Sequence, residues 1–219
     1  MLRAALLALA LALAAVPAAA QRTYALLSAV GDRVTVVHRD VKRQDTIDIS
    51  GTALDNAVLF GAEKGLRTAE RTADVMRLAP RTGLAAKADL VSREGSMSQW
   101  VAREVRPQLS AMGVDDIIVI TKHRGETEGL GFYTDGPPAS VSGYAALVVR
   151  LFELESGRLL AEQVVVASAP LAGAGSAWNL DTITDAQIVA VLRDMVNSEM
   201  GTAMAALVRS AGRGSPGRR

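Results

Sequence analysis

The densest run of side chains able to do chemistry is Lys122-His123-Arg124-Gly125-Glu126-Thr127-Glu128. It follows directly on Asp116-Ile-Ile-Val-Ile-Thr121, whose consecutive β-branched apolar residues read as a strand buried on both faces. In open α/β sheets, ligands gather beyond the carboxyl ends of the strands. At such a place His123 can act as a general base, with Glu126 or Glu128 orienting its ring and Lys122 or Arg124 holding an anion. The competing account is a solvated strand exit with ordinary surface charges, because position on a fold does not by itself make a site.

Gly129-Leu-Gly-Phe-Tyr133 comes next. A phosphate loop needs a further glycine and a helix N-terminus to supply N–H groups, and neither follows. Residues 122–143 therefore read as a long loop. Its Phe132 and Tyr133 either tuck onto the core or close as a lid over a small ligand near His123. Asp115 and Asp116 are adjacent on a strand, so they point to opposite faces and cannot share a proton or a metal. They read as polar residues of a helix-to-strand turn. No Ser sits in a Gly-x-Ser-x-Gly elbow; Ser140, Ser142 and Ser156 are in turn-like settings. The chain has no Cys, which removes disulfides, thiolate metal sites and cysteine nucleophiles together. Metal ligands would have to come from His38, His123 and carboxylates. His38 falls near a strand end with no second ligand beside it, so neither a metal site nor a cofactor is expected.

The elements that must position these residues are legible in the hydrophobic pattern. Thr23–Val30 and Arg33–Arg39 are β-rich runs separated by Gly31-Asp32, which suits a hairpin turn. Asp45–Ser50 alternates and makes a third strand of the same meander. Leu54, Val58, Ala62, Leu66 and Ala69 recur at helical spacing, predicting a helix over 53–71 in which Gly61 and Gly65 are unfavourable. Ala73–Ala79 reads as a strand ended by Pro80, and residues 80–95 as a loop.

Ser96-Met-Ser-Gln99 has capping-box spacing and opens a helix over 97–112, which Pro107 should kink and Gly113 should stop. Gly143–Glu153 and Arg158–Ala167, joined by Leu154-Glu-Ser-Gly157, predict a long antiparallel hairpin over 143–167. Thr184-Asp-Ala-Gln187 is a second capping box. It opens a helix over 185–208 with a wide apolar face that includes Met195, Met200 and Met204. Trp100 and Trp178 read as packing anchors. The sum is an α+β fold: a single domain over 21–208 with a mixed sheet and its helices on one face.

Residues 1–20 are not part of that domain. Met1-Leu-Arg3, an apolar run from Ala4 to Val16 and Pro17-Ala-Ala-Ala20 form the three parts of a secretory signal peptide. The apolar run is about 13 residues, against roughly 20 for a spanning helix. Cleavage near Ala20 would deliver the chain to the periplasm or outside the cell. A lipid on the new N-terminus would need a Cys there, so the exported chain is expected to be soluble. Residues 209–219 hold four Arg and no acid and read as a disordered basic tail. The formal net charge is +1 and aromatics are 4%, which leaves neither a basic patch nor stacking platforms for nucleic acid.

The helix feeding Gly113-Val-Asp-Asp-Ile-Ile-Val-Ile-Thr121, the phrase Arg150-Leu-Phe-Glu-Leu-Glu-Ser-Gly-Arg-Leu-Leu-Ala-Glu162 and the C-terminal helix resemble periplasmic α/β domains of the curli-assembly CsgG and TolB amino-terminal type. The resemblance covers residues 53–208. It implies a non-enzymatic envelope module acting through protein contacts. The chain also resembles exported proteins of proteobacteria. Three functions are therefore carried forward. One is an exported soluble module binding an envelope protein or a small ligand, with the 143–167 hairpin as its interaction surface if a strand edge is free. The others are a hydrolase or transferase using His123 with Glu126 or Glu128, and a small-metabolite binder closed by the 122–143 loop, where Lys122, Arg124, Phe132 and Tyr133 would contact the ligand.

Overall fold

The computed structural model describes residues 21–80, 83–125, 127–135, 140–170 and 184–213. The expected leader, Glu126, Trp178 and tail residues 214–219 lie outside the described residues. One eight-stranded mixed sheet organises the chain, with β1 at Thr23–Ser28, β2 at Arg33–His38, β3 at Arg43–Asp48, β4 at Asp74–Arg77, β5 at Asp116–Lys122, β6 at Gly129–Asp135, β7 at Ser140–Glu153 and β8 at Leu159–Pro170. Four helices cover it. They are α1 at Ala53–Ala69, α2 at Gly83–Glu94, α3 from Met97 to Met112 and α4 at Asp185–Arg213. The α+β architecture, the mixed sheet and the long hairpin agree with the pattern of the sequence.

The register reduces the sheet to long rows. β8 lies along β7 from Ser142 to Phe152. The opposite edge of β7 is shared end to end, with β5 on Asp116–Lys122 facing Glu153–Leu147 and β6 on Gly129–Asp135 facing Ala146–Ser140. β5 and β6 are thus one line interrupted by residues 123–128. The next row repeats the device: β1 runs parallel to β5 and β2 parallel to β6, interrupted by residues 29–32. β4 flanks β1 and β3 flanks β2.

Three expectations are corrected by this arrangement. β1 and β2 do not form a hairpin at Gly31-Asp32, because each spends its edges on other strands; the antiparallel neighbour of β2 is β3. Residues 122–143 are not one loop, since Gly129–Asp135 is strand β6 with Leu130 and Phe132 turned into the core. The stretch expected to loop over 80–95 contains helix α2, whose buried residues are only Ala85 and Ala88, so the sequence lacks a stripe of large apolar residues there.

The helices also occupy both faces of the sheet rather than one. On the first face α1 and α4 pack on each other and over Leu26, Val34, Ile118, Leu130, Phe132, Leu147 and Val149. On the second, Trp100, Val101 and Val105 of α3, with the two alanines of α2, cover Ala25, Leu27, Ile117 and Val119. A buried strand alternates between two cores, so the unbroken apolar run of β5 serves both.

Local features explain the helices. Thr184 and Gln187 bond reciprocally, so the second capping box forms, whereas at the first Ser96 accepts from the Gln99 N–H as a simple N-cap. α3 absorbs Pro107 by a π-helical stretch at Val101–Val105, in which the Arg106 N–H reaches the Val101 carbonyl. A proline cannot donate and crowds the preceding turn, and this wider turn is one of the known ways to accommodate it. Gly61 and Gly65, unfavourable in isolation, are where α1 meets α4. A Cβ on Gly65 would stand 2.7 Å from the Gly201 Cα. The helix-propensity cost is offset by close packing of the two helices. α4 continues to Arg213, five residues into the stretch expected as tail.

Candidate functional site

The excursion at 123–128 is held at its base by the His123 N–H, which donates to the Ala146 carbonyl at 2.9 Å. Lys122 and His123 are half-buried and Arg124 is exposed. Glu128 is exposed and lies 3.9 Å from the Arg93 guanidinium of α2. The described residues do not assemble a His123–Glu128 pair, and Glu126 is not among them. Phe132 is fully buried in the first core, which removes it as a ligand contact. Tyr133 points to the other face, where its ring stacks at 4.7 Å on Tyr144 and lies 3.8 Å under the Arg39 guanidinium. Burial pushes the Tyr144 hydroxyl up to about 12.

A second constellation lies at the end of β2. His38 Nε2 is 3.0 Å from Asp45 Oδ2, and His38 Nδ1 is 2.9 Å from Thr134 Oγ1. A carboxylate only accepts, so the neutral ring donates from Nε2 to Asp45 and accepts the Thr134 proton at Nδ1. Hydroxyl, imidazole and carboxylate in this order match the elements of a nucleophilic triad. Two observations argue for a strut instead. Thr134 is buried, and the nearby Arg39 N–H is already bonded to the Thr134 carbonyl rather than turned toward a reacting group. The three side chains tie β2 to β3 and β6. The signal was present in the sequence as His38 and Asp45 on two alternating strands, but the partnership depends on β6, whose two glycines give the pattern of a loop.

Arg43 completes the group with Nη2 at 2.8 Å from Asp45 Oδ1. Its hydrogen bond is the main reason the Asp45 carboxyl is held below the ordinary carboxylate range, with His38 adding to it and burial opposing it. Carboxyl-carbon NMR titration should find Asp45 titrating below a free aspartate, and Arg43→Ala should move it up by more than His38→Ala does. Because the folded value is depressed, this group favours the fold at pH above the free-aspartate range. That contribution is lost as the pH falls through the folded value. Equal titration in all three proteins would contradict the geometry.

At the far end of β1 and β5 a cleft of about 450 Å³ is lined by Arg22, Arg106, Asp115, Asp116 and Glu153 among others. Arg22 Nη1 lies 3.5 Å from the buried Asp116, the Thr23 N–H donates to Asp115 at 2.9 Å, and Arg106 donates to the Glu155 carbonyl at 2.8 Å. These groups fasten the sheet end to α3 and to the β7–β8 turn. At that turn Gly157 has φ of 70°, and an added Cβ would meet the Ser98 carbonyl at 2.5 Å.

The remaining feature is an edge. Among the described residues β8 pairs with β7 alone, leaving its outer backbone row open. α4 covers one face of the strand over Ala161 and Val165. On the other face Val164 is 42% and Val166 69% exposed. Edge strands are ordinarily blunted by charge, proline or bulges. Here Glu162 is the one charge on the strand, and Arg150 beside it on β7 holds it at 2.6 Å. The register irregularity sits at the opposite end, near Leu151/Phe152, and Pro170 closes the strand. Gln163–Ala169 is left without such protection.

A mixed sheet with helices on both faces makes this chain an α+β domain, in which β8 pairs with β7 alone among the described residues. No family model matches it, and no curated protein matches it. Among solved structures it is similar to protein XCC0632 from Xanthomonas campestris, of the DUF330 family, at 10% identity and a TM-score of 0.45 over 90% of this chain and 91% of that one. It is similar to the PelC dodecamer from Paraburkholderia phytofirmans at 11% identity and a TM-score of 0.39, over 85% and 86%. Lipoprotein GNA1162 from Neisseria meningitidis is similar at 10% identity and a TM-score of 0.36, over 81% and 96%. None of these descriptions names the CsgG or TolB type, so that resemblance gains no support from them. Among the described residues no helix is long and apolar enough to cross a membrane.

Proposed function

We propose that this chain is an exported, non-enzymatic module, released from its leader near Ala20, that binds a protein of the cell envelope by accepting a strand along β8. That Gln163–Ala169 pair with β7 alone among the described residues supports the reading above all. Strand addition draws affinity from main-chain hydrogen bonds and specificity from alternate side chains, and this edge offers both, with Val164 and Val166 as the apolar contacts. The leader supplies the location. Among the described residues His123 has no carboxylate partner, and the His38 group is bonded as a strut, so the reading rests on the edge rather than on these side chains.

The test is capture from an envelope extract with the wild-type protein and with a Val164→Lys/Val166→Lys variant. Both positions are exposed, so the variant should keep the wild-type circular dichroism spectrum. One identified envelope protein should be retained by the wild type and lost, by tenfold or more, from the variant. Equal recovery on both would overturn the assignment to β8.

A further inference from the structure

We infer that the β8 edge pairs with the β8 edge of a second copy of this chain, antiparallel and in a register centred on Val166. The inference rests on the open edge invoked above and names its occupant. The uncharged stretch Gln163–Ala169 has Val166 at its midpoint. Antiparallel pairing about that midpoint sets Val166 against Val166 of the second copy, Val164 against Ser168 and Glu162 against Pro170. The strand is therefore complementary to itself in charge. Its one carboxylate never meets its counterpart, and it is already matched by Arg150 within its own sheet. Pro170, which cannot donate to a ladder, falls at the end of the paired segment, where a proline is tolerated.

The geometry of the faces agrees. A two-fold axis perpendicular to the sheet keeps like faces together, so the α4 side of one copy continues into the α4 side of the other. The exposed Val164 and Val166 of both copies then form one apolar row on the opposite side. The two sheets become a continuous one with no edge at β8. An isologous contact of this kind closes on itself and does not propagate into fibres. Main-chain pairing over one strand with a short apolar row is a small interface, so the dimer should exchange with monomer at micromolar concentration.

The absence of cysteine gives a direct test of the register. Residues opposite one another across an antiparallel ladder have Cα atoms about 4.5–5.5 Å apart, within the range a disulfide spans. Under mild oxidation Val166→Cys should give a covalent dimer on a non-reducing gel. Val164→Cys and Ser168→Cys should each stay monomeric when alone and cross-link when mixed. Analytical ultracentrifugation of the unmodified protein should show a concentration-dependent dimer. Val166→Lys should weaken it about tenfold through like charges set opposite one another, and mixing Val166→Lys with Val166→Glu should restore it. A sedimentation profile that is monomeric at all concentrations, together with no Val166→Cys cross-link, would overturn self-pairing. If the Val164→Lys/Val166→Lys variant still lost an envelope partner in that case, the edge would stand as a site for another protein. If it lost none, both proposals would fall.

Discussion

Replacing Gly131 with alanine should destabilise the fold by about 3 kcal/mol or more, the upper part of the range for overpacking a core. In β6, Gly131 sits between Thr35 of β2 and Tyr144 of β7. A Cβ there would stand 2.1 Å from the Thr35 carbonyl oxygen and 2.4 Å from both Cζ and Oη of Tyr144. Neither neighbour can give way cheaply. The carbonyl belongs to the backbone of an adjacent strand, and Tyr144 is fully buried and stacked on Tyr133. The glycine is needed for the space it leaves, because the Tyr144 ring lies where a side chain would be. Against a typical total of roughly 5–15 kcal/mol, the loss is large enough to shift a denaturant midpoint well outside error. In a double-mutant cycle Gly131→Ala should cost less in a Tyr144→Ala background than in the wild type, but still cost stability, since the Thr35 carbonyl remains. A Gly131→Ala midpoint within about 0.5 kcal/mol of wild type, the usual scatter of a neutral surface change, would contradict the β2–β6–β7 register.

The same glycine shows why β6 was hard to read. Gly129-Leu-Gly-Phe-Tyr133 alternates with period two once Leu130 and Phe132 are seen as the inward set, but two glycines lower strand propensity and suggest a loop. Only the Thr35 carbonyl of β2 and Tyr144, thirteen positions on in the chain, make glycine the required residue at 131. Helix α2 was hidden for the opposite reason, since its inward face is Ala85 and Ala88 while Leu90 is 53% exposed. Elements whose burial follows large apolar residues at a clean period were legible: β5, the β7–β8 hairpin, α1, α3 and α4. The two-row plan was not, because Gly31-Asp32 carries a local hairpin signal that the parallel pairing of β1 with β5 overrides. The His38–Thr134 contact depends on that plan. β8 was legible as a hairpin strand, but that it pairs with β7 alone among the described residues is a property of the whole sheet.

The break between β1 and β2 has its own anchor, and removing it should produce the second large effect. Asp55, in the first turn of α1, is buried and accepts from the Ser28 hydroxyl at 2.5 Å, the Val30 N–H at 3.2 Å and the Gly31 N–H at 3.1 Å. Its charge also sits at the favourable end of the helix dipole. These bonds replace the ladder that β1 and β2 give up where the row is interrupted. Asp55→Ala should cost about 3–5 kcal/mol, because buried donors lose a charged acceptor and no water reaches Val30. Asp55→Asn keeps the shape and one acceptor oxygen and should cost roughly half as much. Ser28→Ala should cost about 1 kcal/mol, since the carboxylate keeps both N–H donors. The double variant Ser28→Ala/Asp55→Ala should be less destabilised than the sum of the singles, as the hydroxyl has then lost its partner already. Amide exchange should localise the damage. Val30, Gly31 and the β2–β3 pair should exchange faster in Asp55→Ala, while β5, packed between two cores, keeps its protection. Uniform loss across the sheet would mean that Asp55 supports the domain as a whole, and additive costs with Ser28→Ala would mean that the two side chains do not act as a pair.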